Sequence, residues 1–136
     1  MSFDDLVTGS VIDYNYLWVR EAEKGETEGR KSRRVAVGIR LPRSNGDVLI
    51  LFPITSKSPH PERLAVEIPA TEKRRAGLSV DVSLWIVLDE YNEDVVGRSF
   101  YIEPDCIRGR FSKAFFLPVL KRFIAERAKT RGVDRR

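Results

Sequence analysis

Apolar residues in this chain recur in short bursts, most of them at a spacing of two, and that pattern predicts a molecule built mainly of strands. Residues 9 to 19 (GSVIDYNYLWV) open on a turn residue and run into β-branched and aromatic positions, which predicts a first strand with Tyr14, Tyr16 and Trp18 on one face. Two dense apolar runs, Arg34 to Leu41 and Asp47 to Ile54, flank Pro42-Arg43-Ser44-Asn45-Gly46. Asn-Gly between apolar runs is a hairpin signal, so the two are expected to pair antiparallel. Leu64 to Ile68 and Leu84 to Asp89 read as further short strands, and Ser99 to Ile102 as another after the turn-like Tyr91-Asn92-Glu93-Asp94.

Helical spacing is confined to two places. Pro69 to Leu78 carries proline near its start and glycine near its end, the asymmetry of a short helix. From Leu117 onward, Leu117, Leu120, Phe123, Ile124 and Ala128 fall on one helical face. That helix begins either at Leu117, with Pro118 in its first turn, or at a Ser112 cap with Pro118 inside it. Residues 20 to 32 have no apolar period and contain two glycines, which predicts a long mobile loop. Many short strands with one terminal helix imply a small, strongly bent sheet or barrel. Residues 1 to 130 are expected to form one domain, with residues 131 to 136 a disordered basic tail.

Length agrees with one domain, since 136 residues support one core and not two comfortable ones. No apolar stretch is long enough to span a bilayer, and Met1 to Asp5 lacks the pattern of a signal peptide, so the expectation is a cytoplasmic protein with no membrane association. Cys106 and His60 are each the sole residue of their type, which rules out a disulfide within the chain and a His/Cys metal centre. The formal charge of +4 is unevenly placed: ten basic residues against two acids from Arg108 onward, and fourteen against eighteen before it. A basic C-terminal segment attracts polyanions.

Phosphate-binding glycine loops and catalytic triads are absent. His60 lies in a Pro-His-Pro loop, which favours an exposed segment over a general base. Glu21, Glu23, Glu26 and Glu28 alternate with lysine and glycine in a stretch without rigid support, as an acidic loop does. What remains is an ordered set: Gly9 with an aromatic strand, a charged glycine-containing loop, Arg33 at the start of an apolar strand, and Pro53-Ile54-Thr55-Ser56 ending the next.

That order resembles the N-terminal half of the PemK/MazF family of toxin endoribonucleases, chiefly over residues 9 to 58. The resemblance implies an SH3-like β-barrel with a short inserted helix and a C-terminal helix, working as a homodimer. It also implies metal-independent and cofactor-free cleavage of single-stranded RNA by ribose 2′-hydroxyl attack, and control by a cognate antitoxin protein. Arg33 takes the catalytic arginine's place and Thr55 the hydroxyl's, with Ser56 in support. A guanidinium binds two oxygens of a phosphorane that gains negative charge, and a hydroxyl donates to a third. Glu28, Arg30, Arg34, Lys57, Tyr16 and Trp18 are the expected substrate contacts, the aromatics as stacking faces and the cations as phosphate partners. Trp18, Trp85 and Phe115-Phe116 are candidate dimer anchors. The chain departs from the family pattern in carrying Ser10 where an acid is usual and Arg34 where proline follows the arginine. A non-catalytic barrel that binds RNA or a protein partner is the alternative.

Overall fold

A computed structural model describes residues 3 to 29 and 31 to 136. The chain is mainly β, an antiparallel sheet curled into a half-barrel and accompanied by a few short helices. Its elements are β1 (Ser10–Tyr14), α1 (Val19–Glu23), β2 (Arg33–Leu41), β3 (Val48–Thr55), β4 (Ala65–Glu67), α2 (Ala70–Arg75), β5 (Trp85–Val87), β6 (Glu90–Val95), β7 (Ile107–Arg110), α3 (Lys113–Ala125) and β8 (Arg131–Asp134), with one 3-10 turn at Arg127–Lys129.

The expected hairpin is the centre of the sheet. β2 pairs β3 in a register that sets Val35 against Pro53 and Leu41 against Val48. The register slips at Gly38, where a Cβ would lie 2.4 Å from the Phe52 ring. Glycine there lets Phe52 fill the core while the slip bends the strand. β1 and then β7 extend the sheet beyond β2. On its other edge β3 divides its partners, Val48 to Leu51 bonding β6 and Ile54 to Thr55 bonding β5.

Alternation gives the sheet two apolar faces. Val11, Ala36, Phe52 and Ile54 pack on one side under Phe116, Val119 and Phe123 of α3. Ile12, Tyr14, Val35, Val37 and Leu51 pack on the other with Tyr16, Trp18 and Ile102. Ser112 caps α3 by accepting from the Phe115 N–H and donates to Glu72 of α2, so the helix starts at the earlier of its two expected positions, with Pro118 inside it.

Four expectations are corrected. Residues 91 to 94 are not a turn but part of β6, and residues 99 to 102 form no strand. The inward side chains of β6 are Glu90, Asn92 and Asp94, each at most 5 % exposed, so the strand has no apolar period to read. Each is satisfied: Asn92 bonds both backbone groups of Leu17, and Asp94 accepts from the Tyr14 and Ser99 hydroxyls. Second, the segment after the first strand is not all loop, because Val19–Glu23 closes a turn of helix whose start is tied by the Trp18 N–H to Glu21. Third, β7 (Ile107–Arg110) was read as no element at all and pairs β1. Fourth, residues 131 to 134 are a strand, parallel to β6, with Gly132 against the Tyr91 ring, where a Cβ would stand 2.4 Å away. No helix is long and apolar enough to cross a membrane among the described residues.

Candidate active site

Arg33 is the first residue of β2 and Thr55 the last of β3. Continuing the pairing of Val35 with Pro53 two residues outward sets them opposite one another, and the two-residue period puts both side chains on one face. The β2–β3 pairing itself stops at Val35 and Pro53, and beyond it Thr55 pairs Trp85 of β5 while Arg33 pairs Tyr14 of β1. An open cleft of about 690 Å³ occupies the gap, lined by Arg33, Arg34, Thr55 and Ser56 together with Asp13 and the Gly77-Leu78-Ser79 turn.

The two neighbouring arginines have opposite fates, as adjacent strand residues must. Arg34 turns to the Asp13 side, where its Nε donates to Asp13 at 2.7 Å and its Nη1 to the Gly77 carbonyl at 2.8 Å. Asp13 also takes Arg108 at 2.6 Å, so the one carboxylate lining the cleft is already shared by two guanidiniums. Arg34 thus fixes the turn after α2 to the sheet. Arg33 turns to the other side and lies over the Trp18 ring at 5.1 Å, its Nε buried without an acceptor. Its terminal nitrogens meet no acceptor among the described residues and remain available to a ligand in the cleft.

The Thr55 hydroxyl oxygen accepts from the Lys57 N–H at 3.1 Å, which leaves its O–H to donate. Three donors of the right kind for a phosphate, one guanidinium and two hydroxyls, therefore border one cleft.

The remaining candidates divide. Lys57 is exposed just beyond the lining residues, and Glu28 is exposed outside them. Tyr16 and Trp18, at 1 % and 6 % exposure, are core residues, so neither ring is open to a base. The Tyr16 hydroxyl donates to buried Glu90, and burial together with that carboxylate pushes its pKa well up. Arg30 lies outside the described residues. Of the dimer anchors, Trp18 and Phe116 are spent in the core, while Trp85 and Phe115 are half-buried. His60 accepts from the Glu62 N–H in an exposed loop and is not among the cleft-lining residues.

Two participants were not read from the sequence. Asp13 carried a signal, being a lone acid inside an apolar strand, whereas the Gly77 turn arrives by tertiary folding alone. Asp89 and Glu90, neighbours in sequence, converge on Arg63 at 2.6 Å and 2.9 Å, and the hydrogen bonds that Arg63 donates to Asp89 chiefly raise its pKa. No three His, Cys, Asp or Glu side chains among the described residues are grouped to hold a metal ion. Comparison of the chain with protein-family models, with curated proteins and with solved structures found no match.

Proposed function

We propose that the protein is a toxin-like, metal-independent endoribonuclease that cuts single-stranded RNA, built on an SH3-like barrel of the PemK/MazF type. The observation that carries this reading is the convergence of Arg33, whose terminal nitrogens are unclaimed, with Thr55 and Ser56 at one cleft.

The ribose 2′-oxygen attacks the adjacent phosphorus, the bond from phosphorus to the 5′-oxygen breaks, and the products carry a 2′,3′-cyclic phosphate and a 5′-hydroxyl. Solvent water takes the 2′-hydroxyl proton, and a proton returns to the leaving oxygen. Arg33 neutralises the charge that builds on the non-bridging oxygens, and Thr55 donates to one of them and orients it. A guanidinium is too weak an acid to shuttle the proton, so its contribution is electrostatic. In this reading the chain acts as a homodimer and is restrained by an acidic antitoxin segment that competes with RNA for the cleft.

The test is incubation of the purified protein with a long single-stranded RNA in EDTA, beside Arg33→Ala/Thr55→Ala. Discrete cuts with cyclic-phosphate ends, absent with the double variant, are expected. Intact RNA, or equal cutting by both proteins, removes the assignment in favour of a non-catalytic binding module.

A further inference from the structure

Trp18 stands between the cleft and a second recess. Its ring is held by an edge contact from Tyr16, with centroids 5.1 Å apart and planes at 74°. The segment after it is anchored by the Val19 N–H to Glu90, itself bonded to Arg63 and Tyr16. Two guanidiniums lie over this fixed ring, Arg33 at 5.1 Å and Arg20 at 4.7 Å. Their central carbons are therefore no further apart than the sum of those distances, about 10 Å.

Neither arginine has a carboxylate partner among the described residues, which separates them from the surrounding cations. Arg20 lines a recess of about 300 Å³ with Arg63, Asp89, Glu90, Lys129 and Arg131. The carboxylates there already have guanidinium partners, Asp89 and Glu90 sharing Arg63 and Glu23 taking Arg131. Arg20 is the guanidinium of this recess that makes no ion pair among the described residues. Two like charges mounted on one indole repel each other unless an anion lies between or across them. Arg33 and Arg20 open onto different recesses with no lining residue in common, which suits two anionic groups of one chain better than one shared group. The span is within reach of neighbouring phosphates, since each guanidinium extends it by a hydrogen bond of about 2.9 Å.

Resting on the ribonuclease reading, we infer that Arg20 binds the substrate phosphate next to the one at Arg33, so that Trp18 sets the spacing of two phosphate contacts and the RNA strand runs from the cleft into the second recess. Arg20 touches a phosphate that does not react, so it governs binding and not the bond-breaking step.

The test uses a short single-stranded RNA with 2′-O-methyl riboses, which cannot be cut, and measures affinity against salt for wild type, Arg20→Ala, Arg20→Lys and Arg33→Ala. Arg20 is exposed, so its replacement leaves the fold intact. For Arg20→Ala the slope of log affinity against log salt should shrink by about 0.7, one single-strand phosphate contact, and Arg20→Lys should keep the wild-type slope. A methylphosphonate at the phosphate beside the scissile one should weaken wild type and leave Arg20→Ala unaffected. With cleavable RNA, KM should rise in Arg20→Ala with kcat unchanged. An unchanged slope, or equal sensitivity of both proteins to the methylphosphonate, overturns the inference. So does an acidic peptide that depends on Arg20 while RNA does not, which would assign the residue to a protein partner. If Arg33→Ala abolishes cutting while the Arg20→Ala slope equals wild type, only this inference falls. If Arg33→Ala cuts as wild type does, the ribonuclease reading itself fails.

Discussion

The arginines of the C-terminal strand and those around Trp18 are the same residue type in opposite states. Arg131 is tied to Glu23, Arg136 to Glu93 and Asp134, and Arg135 to the Asn15 carbonyl, Asn92 and the Tyr14 hydroxyl, with its guanidinium 4.4 Å from the Tyr101 ring centroid. Arg33 and Arg20 have an aromatic face and, among the described residues, no hydrogen-bond acceptor for the guanidinium. Charge counted along the chain points at the C-terminus as the polyanion site, but in β8 and the two residues after it the arginines tie the segment to α1, β6 and the end of β1. A cation already paired in the fold offers a phosphate little, since the partner must first be displaced. The state of pairing, more than the density of charge, marks where an anion is expected to bind.

The comparison breaks most sharply if Arg33 is dispensable. Arg33→Ala should lower the cleavage rate 100- to 1,000-fold, about 3 to 4 kcal/mol of transition-state stabilisation. The same change should cost the fold at most about 1 kcal/mol, the worth of one cation–π contact. Arg135→Ala should do the reverse. Urea unfolding should show a loss of about 2 to 3 kcal/mol, because a charged donor is removed from three buried or half-buried acceptors, with cutting per folded molecule unchanged.

The network that Arg135 completes also sets a pH limit. Burial pushes the Tyr14 hydroxyl far above its ordinary value, with Asp94 adding to the shift, and Tyr16 is raised for the same first reason beside Glu90. A raised folded pKa contributes stability that is intact below the unfolded value near 10.0 and is lost as pH climbs past it. Unfolding free energy should therefore fall above pH 10, by about 1.4 kcal/mol per unit for each of the two tyrosines. In Tyr16→Phe half of that slope should vanish; a slope unchanged by the substitution would show that another group controls it. The smallest effect belongs to Arg131→Ala, which removes an exposed pair and should change stability by less than about 0.5 kcal/mol in the same urea experiment.

Where apolar alternation was strong, the architecture could be read in advance. The β2–β3 hairpin, both principal helices and the meeting of Arg33 with Thr55 and Ser56 follow from periodicity, Asn45-Gly46 and strand order. β6 was hidden because its core-facing residues are Glu90, Asn92 and Asp94, whose burial is tolerable only with partners brought from Leu17, Tyr14, Tyr16 and Arg63. β8 was hidden for a related reason: a polar strand of four residues is stabilised by a partner some forty residues earlier. Within the site, the period-two rule separates Arg33 from Arg34, but only the fold shows that Asp13 and Gly77 claim Arg34, and that Trp18 is a buried support for cations and not a platform for bases.

The most direct measurement is the rate at which wild type, Arg33→Ala and Arg136→Ala cut one single-stranded RNA in EDTA. The account predicts cyclic-phosphate products from wild type and Arg136→Ala at equal rates, and from Arg33→Ala at a rate about 100- to 1,000-fold lower. Cutting by Arg33→Ala at the wild-type rate, or its loss with Arg136→Ala, would contradict it.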